Sequence, residues 1–293
     1  MGVGDLFLQF VVSGLMVGGI YALIALGFTV VFNATEAINF AQGAFVMLGG
    51  MVAAALYRAG LPVILACVGS IVIVTLVGVL LERLTLAPLR DVSVMNLIII
   101  TIGAFIFLEG AAMVTWGKDA FTLPPFSGEQ TLSVFGATFV PQTLWILGTT
   151  AAVVVMVRLF FDRTVLGKAM RAVAANRYAA TLMGIDVKRM VAYSFALAAA
   201  VGAVAGVIIT PVAFAQWDRG TVLGLKGFTA AIVGGLGSGP GAVVGGLLLG
   251  VLESLSAGFL SSGYKDAIAL LLLIVMLLVR PQGLCGRRSG ARP

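Results

Sequence analysis

Polar side chains within apolar sequence are the first candidates for chemistry in this chain. The segment NATEAINFAQ, residues 33–42, separates two apolar runs and carries Asn33, Glu36, Asn39 and Gln42 at every third position. On one continuous helix, residues three or four apart lie on the same face, so this spacing predicts a shared polar face. Polar groups at membrane depth are costly unless they face an interior or water. The segment is therefore either a polar edge of a translocation path or a cytoplasmic turn that caps a helix.

A glycine-rich run and two acids are further candidates. Residues 226–258 carry the sequence GGLGSGPG in their middle, which disfavours a continuous helix. Irregular backbone at membrane depth persists only where protein or a water-lined cavity covers it. We therefore predict a broken helical hairpin that borders the path at Gly234, Gly235, Gly237 and Gly241. Glu109 and Glu253 lie in or near the ends of apolar segments, where they either serve a pathway or docking role or reach the outer interface.

The combinations of residues that most catalytic and metal sites use are missing from the sequence. The chain has no histidine, which removes the commonest metal ligand and the usual proton shuttle. Cys67 and Cys285 form no disulfide framework, and the phosphate loop GxxxxGK[ST] does not occur. We therefore predict no catalytic residue, no metal site and no cofactor in this chain, which would not hydrolyse ATP by itself.

The composition indicates that membrane-spanning helices position these residues. Hydrophobic residues make up 60% of the 293 residues, charged residues 10%, and the mean hydropathy is +1.13, whereas a soluble domain is about 25% charged. We predict one all-α polytopic membrane domain over residues 1–293, with about 8–9 transmembrane helices or half-helices. Apolar runs that are long enough to span a bilayer occupy residues 6–32, 38–57, 63–81, 97–116, 144–161, 191–214 and 264–280.

The distribution of cations predicts the orientation. Of the 18 Lys and Arg residues, 13 lie in or beside the segments 82–96, 158–189 and 280–293, which are cytoplasmic if the positive-inside rule holds. The C-terminus is then cytoplasmic and the N-terminus outside, with Lys226 among the cations assigned to the outer face. The net charge of +6 does not indicate nucleic-acid binding, because the cations do not cluster with aromatic residues. The longest outer loop, residues 117–140, is predicted to carry a small β-hairpin around Gly136.

The loop at residues 162–190 is unusual, since it holds eight of the 30 charged residues within its first 28 positions. Its composition predicts one helix over residues 168–184, which Gly184 ends in the left-handed conformation. An apolar stripe is formed by Met170, Ala174, Tyr178, Leu182 and Ile185. From physical chemistry alone, this stripe either lies on anionic lipid or inserts into a groove on a cytoplasmic partner.

Four motifs in order resemble a known family. These motifs are GIYALIALG at residues 19–27, INFAQG at 38–43, AAIVGGLGSGPGAVVGG at 230–246 and RPQGL at 280–284. Together they are similar to the permeases of branched-chain amino acid ABC transporters, and most similar to the first of the two permease subunits of the high-affinity import system. The resemblance covers essentially the whole chain.

The resemblance implies an importer of several subunits with the ABC importer permease fold in a bacterial inner membrane. The expected partners are a second homologous permease, two cytoplasmic ATPases that use ATP and Mg, a periplasmic solute-binding protein and membrane lipid, with no nucleic acid. It also implies that the cytoplasmic loop docks the ATPase, and that a helix over residues 172–184 transmits its motion rigidly. The docking residues implied are Ala174, Ala175, Asn176, Arg177, Tyr178, Leu182, Met183 and Gly184.

The solute and one rival function stay open at this stage. Close relatives of this family import branched-chain amino acids, urea, amides or aromatic acids, and in such systems the binding protein largely sets selectivity. The rival is a channel or secondary transporter that works without an ATPase. It would need its own gating or ion-coupling groups, for which only Glu36, Glu109 and Glu253 are plausible.

Overall fold

The computed structural model describes residues 3–88, 94–128, 130–134, 137–259 and 261–286. Within these ranges the chain is all-α apart from one two-stranded sheet. Its helices are α1 Val3–Thr35, α2 Gln42–Arg58, α3 Val63–Leu81, α4 Val94–Trp116, α5 Gln142–Arg163, α6 Val165–Ala175, α7 Arg177–Leu182, α8 Val187–Ala213, α9 Arg219–Gly234, α10 Gly239–Phe259 and α11 Lys265–Val279. A π-helical turn at Glu82–Leu86 extends α3, and a 3₁₀ turn at Ser262–Tyr264 precedes α11.

Seven of the described helices are long and apolar enough to cross a membrane, namely α1, α3, α4, α5, α8, α10 and α11. The prediction of spans from apolar runs is confirmed for α1, α3, α4, α5, α8 and α11, and for α3 the bounds agree to the residue. Helix α1 has 33 residues, which corresponds to about 50 Å. It therefore tilts or protrudes, since the hydrocarbon core is only about 30 Å thick.

Helices α1 and α10 form the centre of the fold through glycines at four-residue spacing. A Cβ atom at Gly18 would lie 2.8 Å from Cα of Leu247, and one at Gly14 would lie 2.6 Å from Cα of Val251. Because only glycine permits this approach of two backbones, the pairs Gly14/Gly18 and Gly246/Gly250 serve helix packing within the subunit. A first core cluster surrounds α1, and a second surrounds α2, α3 and α8.

Two helices of the membrane region are shorter than a span. Helix α2 has 17 residues and α9 has 16, or about 25 Å each. The span predicted at residues 38–57 therefore begins later, at Gln42, because residues 36–41 form an irregular connection after α1. In the glycine-rich region, α9 and α10 are joined by residues 235–238. Helix α10, with 21 residues, is long enough to span the membrane, so α9 is the only half-helix of the two.

Several connections meet at one end of the molecule. Arg177 of α7 contacts Ala34 of α1, Asn33 contacts Gly237, and the tail contacts the end of α9. At the opposite end, strands β1 Leu132–Val134 and β2 Ala137–Phe139 pair antiparallel, and Gln9 of α1 bonds the backbone of Thr138. The predicted hairpin is thus confirmed, although Gly136 itself lies outside the described residues.

Four of the cations on which the predicted orientation depends also lie outside the described residues, namely Arg90, Arg287, Arg288 and Arg292.

The single helix predicted at residues 168–184 is wrong, because the chain forms two helices there. Asn176 has an extended backbone, with φ −164° and ψ 108°, and separates α6 from α7. Its side chain accepts a hydrogen bond from the backbone N–H of Ala179 at 3.0 Å. Asparagine favours such an N-cap over a helix interior, so a local side-chain bond interrupts a run of good helix formers.

Candidate functional site

Helix α7 and the residue that follows it present three large apolar side chains to the surface. Tyr178, Leu182 and Met183 are 76%, 71% and 83% exposed, and we call these three residues the α7 surface. The predicted stripe is split, because Met170 of α6 is 2% exposed and packs against the membrane helices. A cluster of exposed apolar residues at the polar end of a membrane protein indicates an interaction site.

Arg177 attaches the α7 surface to α1. Its Nη2 donates a hydrogen bond of 2.7 Å to the carbonyl oxygen of Ala34, in the last turn of α1. The final carbonyls of a helix have no partner within the helix, and a cation there is also favoured by the helix dipole. The first turn of α7 is therefore held at the end of the longest helix in the structure.

Gly184 ends α7 and turns the chain into α8. Its φ is +80°, as predicted, and the N–H groups of Gly184 and Ile185 donate to the carbonyls of Thr181 and Ala180, both at 3.0 Å. This bonding pattern is the Schellman motif. Asp186 then caps α8 by accepting from the N–H of Arg189 at 3.2 Å. Helix α7 is thus connected to α1 by one hydrogen bond and to α8 by a short, defined turn.

The remaining predicted docking residues lie just before α7 in the sequence. Ala174 is half-buried at the end of α6, whereas Ala175 and Asn176 are exposed. Farther back on α6, Arg171 contacts Asp162 of α5 with an Nη2–Oδ1 distance of 2.5 Å. Arg158 lies 3.7 Å from the same carboxylate, so α5 and α6 are joined by a surface ion-pair network.

The polar segment at residues 33–42 does not form one face, contrary to the prediction. Glu36 is exposed and adopts φ +58°, which ends α1, while Asn39 and Gln42 are both 0% exposed. Gln42 Nε2 donates to the carbonyl of Ala198 in α8 at 3.1 Å, and its side chain fills the space beside Gly27. Gln42 Oε1 and Asn39 Nδ2 have no hydrogen-bond partner among the described residues. The segment is thus a turn followed by a buried polar pair.

The glycine-rich turn lies beside both the end of α1 and the tail. Asn33 Nδ2 donates to the carbonyl of Gly237 at 3.2 Å, so two of the predicted path residues are brought together. Gly235 and Gly237 have φ of +105° and +87°, and Gly241 packs against the backbone of Gly234. The N–H groups of Leu284 and Cys285 bond the carbonyls of Val233 and Gly234, each at 2.9 Å. The RPQGL motif therefore covers the glycine-rich motif.

A partly buried cluster of charges was missed from the sequence. The side chain of Lys226 of α9, assigned to the outer face, is 12% exposed, with its Nζ 2.6 Å from Glu253 Oε1 and 2.9 Å from Oδ1 of the exposed Asp266. The Tyr21 hydroxyl donates to Glu253 Oε2 at 2.8 Å. A signal was available, because Glu253 is the only charged residue in α10 and a lone buried charge needs a partner. Elsewhere, Glu109 accepts from Thr221 Oγ1 at 3.1 Å.

None of these clusters resembles a metal site. In the described ranges, no group of three or more His, Cys, Asp or Glu side chains could hold a metal ion. The arrangement instead offers an attachment surface at α7, which is connected to α1 and to α8.

Comparisons with known proteins agree on one family. The family described as "Branched-chain amino acid transport system / permease component" matches residues 10–277. The chain is similar to the high-affinity branched-chain amino acid transport system permease protein LivH of Escherichia coli K12, at 37% identity over 96% of both chains. It is 36% identical to the corresponding protein BraD of Pseudomonas aeruginosa, again over 96% of both chains. One chain of PsaBC from Streptococcus pneumoniae, solved with a Fab, shares the fold with a TM-score of 0.51 and 15% identity, over 94% of this chain and 92% of that chain.

Proposed function

This chain belongs to the branched-chain amino acid transport permease family, and we propose that it forms half of the translocation path of an ATP-driven importer for branched-chain or closely related amino acids. The relatives at 36–37% identity over 96% of this chain are permeases of high-affinity branched-chain amino acid transport systems, which supports this class of solute. The chain is a multi-pass membrane permease and not an enzyme. We assign it to a bacterial inner membrane, with its N-terminus outside and its C-terminus in the cytoplasm.

The proposed complex contains three kinds of partner. A second homologous permease completes the path, two cytoplasmic ATPases bind and hydrolyse ATP with Mg, and a periplasmic binding protein delivers the solute. This division of labour is consistent with the sequence of this chain, which has no GxxxxGK[ST] phosphate loop. The chain itself is proposed to bind no cofactor.

The observation that carries the proposal is the α7 surface. Tyr178, Leu182 and Met183 are more than two-thirds exposed, at the end where the predicted cytoplasmic connections meet. We propose that they insert into an apolar groove of the ATPase. Coupling of the two subunits requires different contacts in the two states of the ATPase, and burial of three large side chains in one state supplies such a difference.

A movement of α7 would be transmitted to the membrane helices through two connections. The hydrogen bond from Arg177 to Ala34 leads into α1, and the turn at Gly184 leads into α8. Because the extended backbone of Asn176 interrupts the helix between α6 and α7, a single rigid helix over residues 172–184 cannot be the transmitting element. The proposed transmission instead moves α7 as a unit together with the ends of α1 and α8.

The rival without an ATPase finds less support in the geometry. Ion coupling would need an acid that is accessible and able to change its partner. Glu253 is buried and paired with Lys226, Glu109 bonds Thr221, and Glu36 is exposed in a turn. The acids that this rival requires are thus bonded to other side chains or lie outside the membrane helices.

Purification and reconstitution test the proposal. The tagged chain, extracted with mild detergent, is expected to bring an ABC ATPase and a second permease with it. In proteoliposomes, uptake of leucine should require ATP on the ATPase side and the cognate binding protein on the other. Leucine uptake by the chain alone, with no ATPase bound, would establish the rival function. Uptake of urea but not of leucine would support the ABC importer and contradict the proposed solute.

A further inference from the structure

A cavity of about 600 Å³ lies at the end of the molecule that carries α6 and α7. Its walls come from the last turns of α1 and α5 and from the first turns of α10, and α6 closes it at one end. The volume is in the range of sites for small organic ligands, roughly 300–1,000 Å³. No residue of the α7 surface lines it, whereas Ala174, a predicted docking residue, does, so this cavity adjoins the proposed ATPase contact without including the α7 surface.

The walls are mostly apolar and open towards the outer surface of the helices. Leu26 and Val30 of α1, Val154 of α5 and Val243 of α10 all line the cavity. At its edge, Val244 is 46% exposed and belongs to the outward face of α10. The cavity therefore opens onto the exposed face of α10, and its apolar walls suit an acyl chain.

The rim of the cavity carries charge. Arg158 and Arg171 line it together with Asp162, which contacts both arginines at 3.7 and 2.5 Å. Two cations against one anion leave the rim positive. Each guanidinium has five N–H donors, so both arginines keep donors that one carboxylate does not use. The N-terminus of α10, at Gly239 and Pro240, also lies at this cavity and favours an anion through its dipole.

Inside the cavity, one polar group lacks a partner. Thr29 of α1 is 2% exposed and lines the cavity, and its hydroxyl forms no hydrogen bond among the described residues. Buried hydroxyls are normally satisfied. An occupant with an oxygen acceptor near its apolar part, such as an ester carbonyl, would satisfy this group.

We propose that the cavity between α1, α5 and α10 holds one acyl chain of an anionic phospholipid, whose phosphate binds Arg158 and Arg171. This inference rests on the proposed orientation, which places the rim at the cytoplasmic leaflet, where basic pockets between helices bind anionic head groups. Because Met170, Arg171 and Ala174 of α6 line the same cavity, the bound lipid fixes α6 against α5. The position of the loop that leads into α7 then depends on the lipid.

Lipid retention by the purified membrane assembly tests this proposal without any transport measurement. The assembly is placed in nanodiscs of phosphatidylcholine with a small fraction of phosphatidylglycerol, and native mass spectrometry measures the retained lipid. Three variants are compared. Arg158→Gln removes a rim cation, Val154→Phe fills the cavity, and Arg163→Gln removes a cation of the same helix that does not line the cavity.

The expected result is selective retention of phosphatidylglycerol by the unmodified chain. One cation near the membrane surface contributes about a fivefold change in affinity, so Arg158→Gln should weaken retention by about fivefold. Val154→Phe should abolish it, and Arg163→Gln should leave it unchanged. Equal loss of phosphatidylglycerol retention in Arg158→Gln and Arg163→Gln would show that only the overall surface charge attracts the lipid, and it would overturn the proposal. Unchanged retention in Val154→Phe would also overturn it, since the cavity would then be empty or covered by the second permease. An assembly that keeps the lipid but binds no ATPase would contradict the proposed function alone.

Discussion

A Leu182→Asp substitution tests whether the α7 surface docks the ATPase. Leu182 is 71% exposed in this chain, so the change should alter the stability of the isolated permease by only about 0.5 kcal/mol or less. In a docked state the leucine would be buried, and losing that burial costs about 1.5–3 kcal/mol. This cost alone weakens ATPase binding by about 10- to 150-fold. A carboxylate buried without a partner adds several kcal/mol more.

The assay combines retention of the ATPase with uptake in proteoliposomes. The matched control is Val165→Asp, which introduces the same charge at a residue of α6 that is 83% exposed and lies outside the proposed docking residues. It should keep the ATPase bound and transport intact, because an acid in the first turn of a helix is electrostatically favourable. Leu182→Asp should insert normally in the membrane and lose the ATPase. A Leu182→Asp permease with bound ATPase and full uptake would refute the docking role. Loss of the ATPase with the control variant as well would show only that added charge disturbs the loop.

Three further predictions concern Arg177, Lys226 and the orientation of the chain in the membrane. Arg177→Ala removes the bond to the end of α1, so uptake should fall while the ATPase stays bound; loss of the ATPase instead would assign Arg177 to docking. Lys226→Met leaves Glu253 buried without its cation, which should cost about 3–5 kcal/mol and lower the Tm in detergent, and a Lys226→Met/Glu253→Gln double variant should recover most of it. Equal Tm values for the single and double variants would contradict the ion-pair argument. In a chain without other cysteines, Ser127→Cys should react with an impermeant thiol reagent added to whole cells and Asn176→Cys should not; the reverse labelling would invert the topology.

The helices of the membrane region were largely predictable from the sequence because their signal is local. A run of about 20 apolar residues has few alternatives to a spanning helix, and the predicted span at residues 63–81 coincides with α3. The glycine-rich break was predictable for a similar reason, since GGLGSGPG opposes any continuous helix. Composition alone therefore determines most of the spanning elements and the position of one turn.

Helix ends inside favourable sequence were not predictable, because single side chains decide them. Asn176 lies in a run of good helix formers, yet its bond to the N–H of Ala179 starts a new helix. Likewise, the regular spacing of Asn33, Glu36, Asn39 and Gln42 suggested one face, but Glu36 adopts a left-handed conformation that ends α1. Periodicity describes a helix only while the helix continues, so a break in the backbone cancels the shared face.

Contacts between distant segments were the least predictable, and the Lys226 cluster shows why they matter. Helix α9 is about 24 Å long and is too short to be positioned by the thickness of the bilayer. Its register must come from other helices. Lys226 bonds Glu253 of α10 and Asp266 of α11, and Tyr21 of α1 bonds the same glutamate. A slide of α9 by one turn, about 5.4 Å, would separate Lys226 from the buried Glu253, so the cluster fixes the half-helix at one depth and against three neighbours.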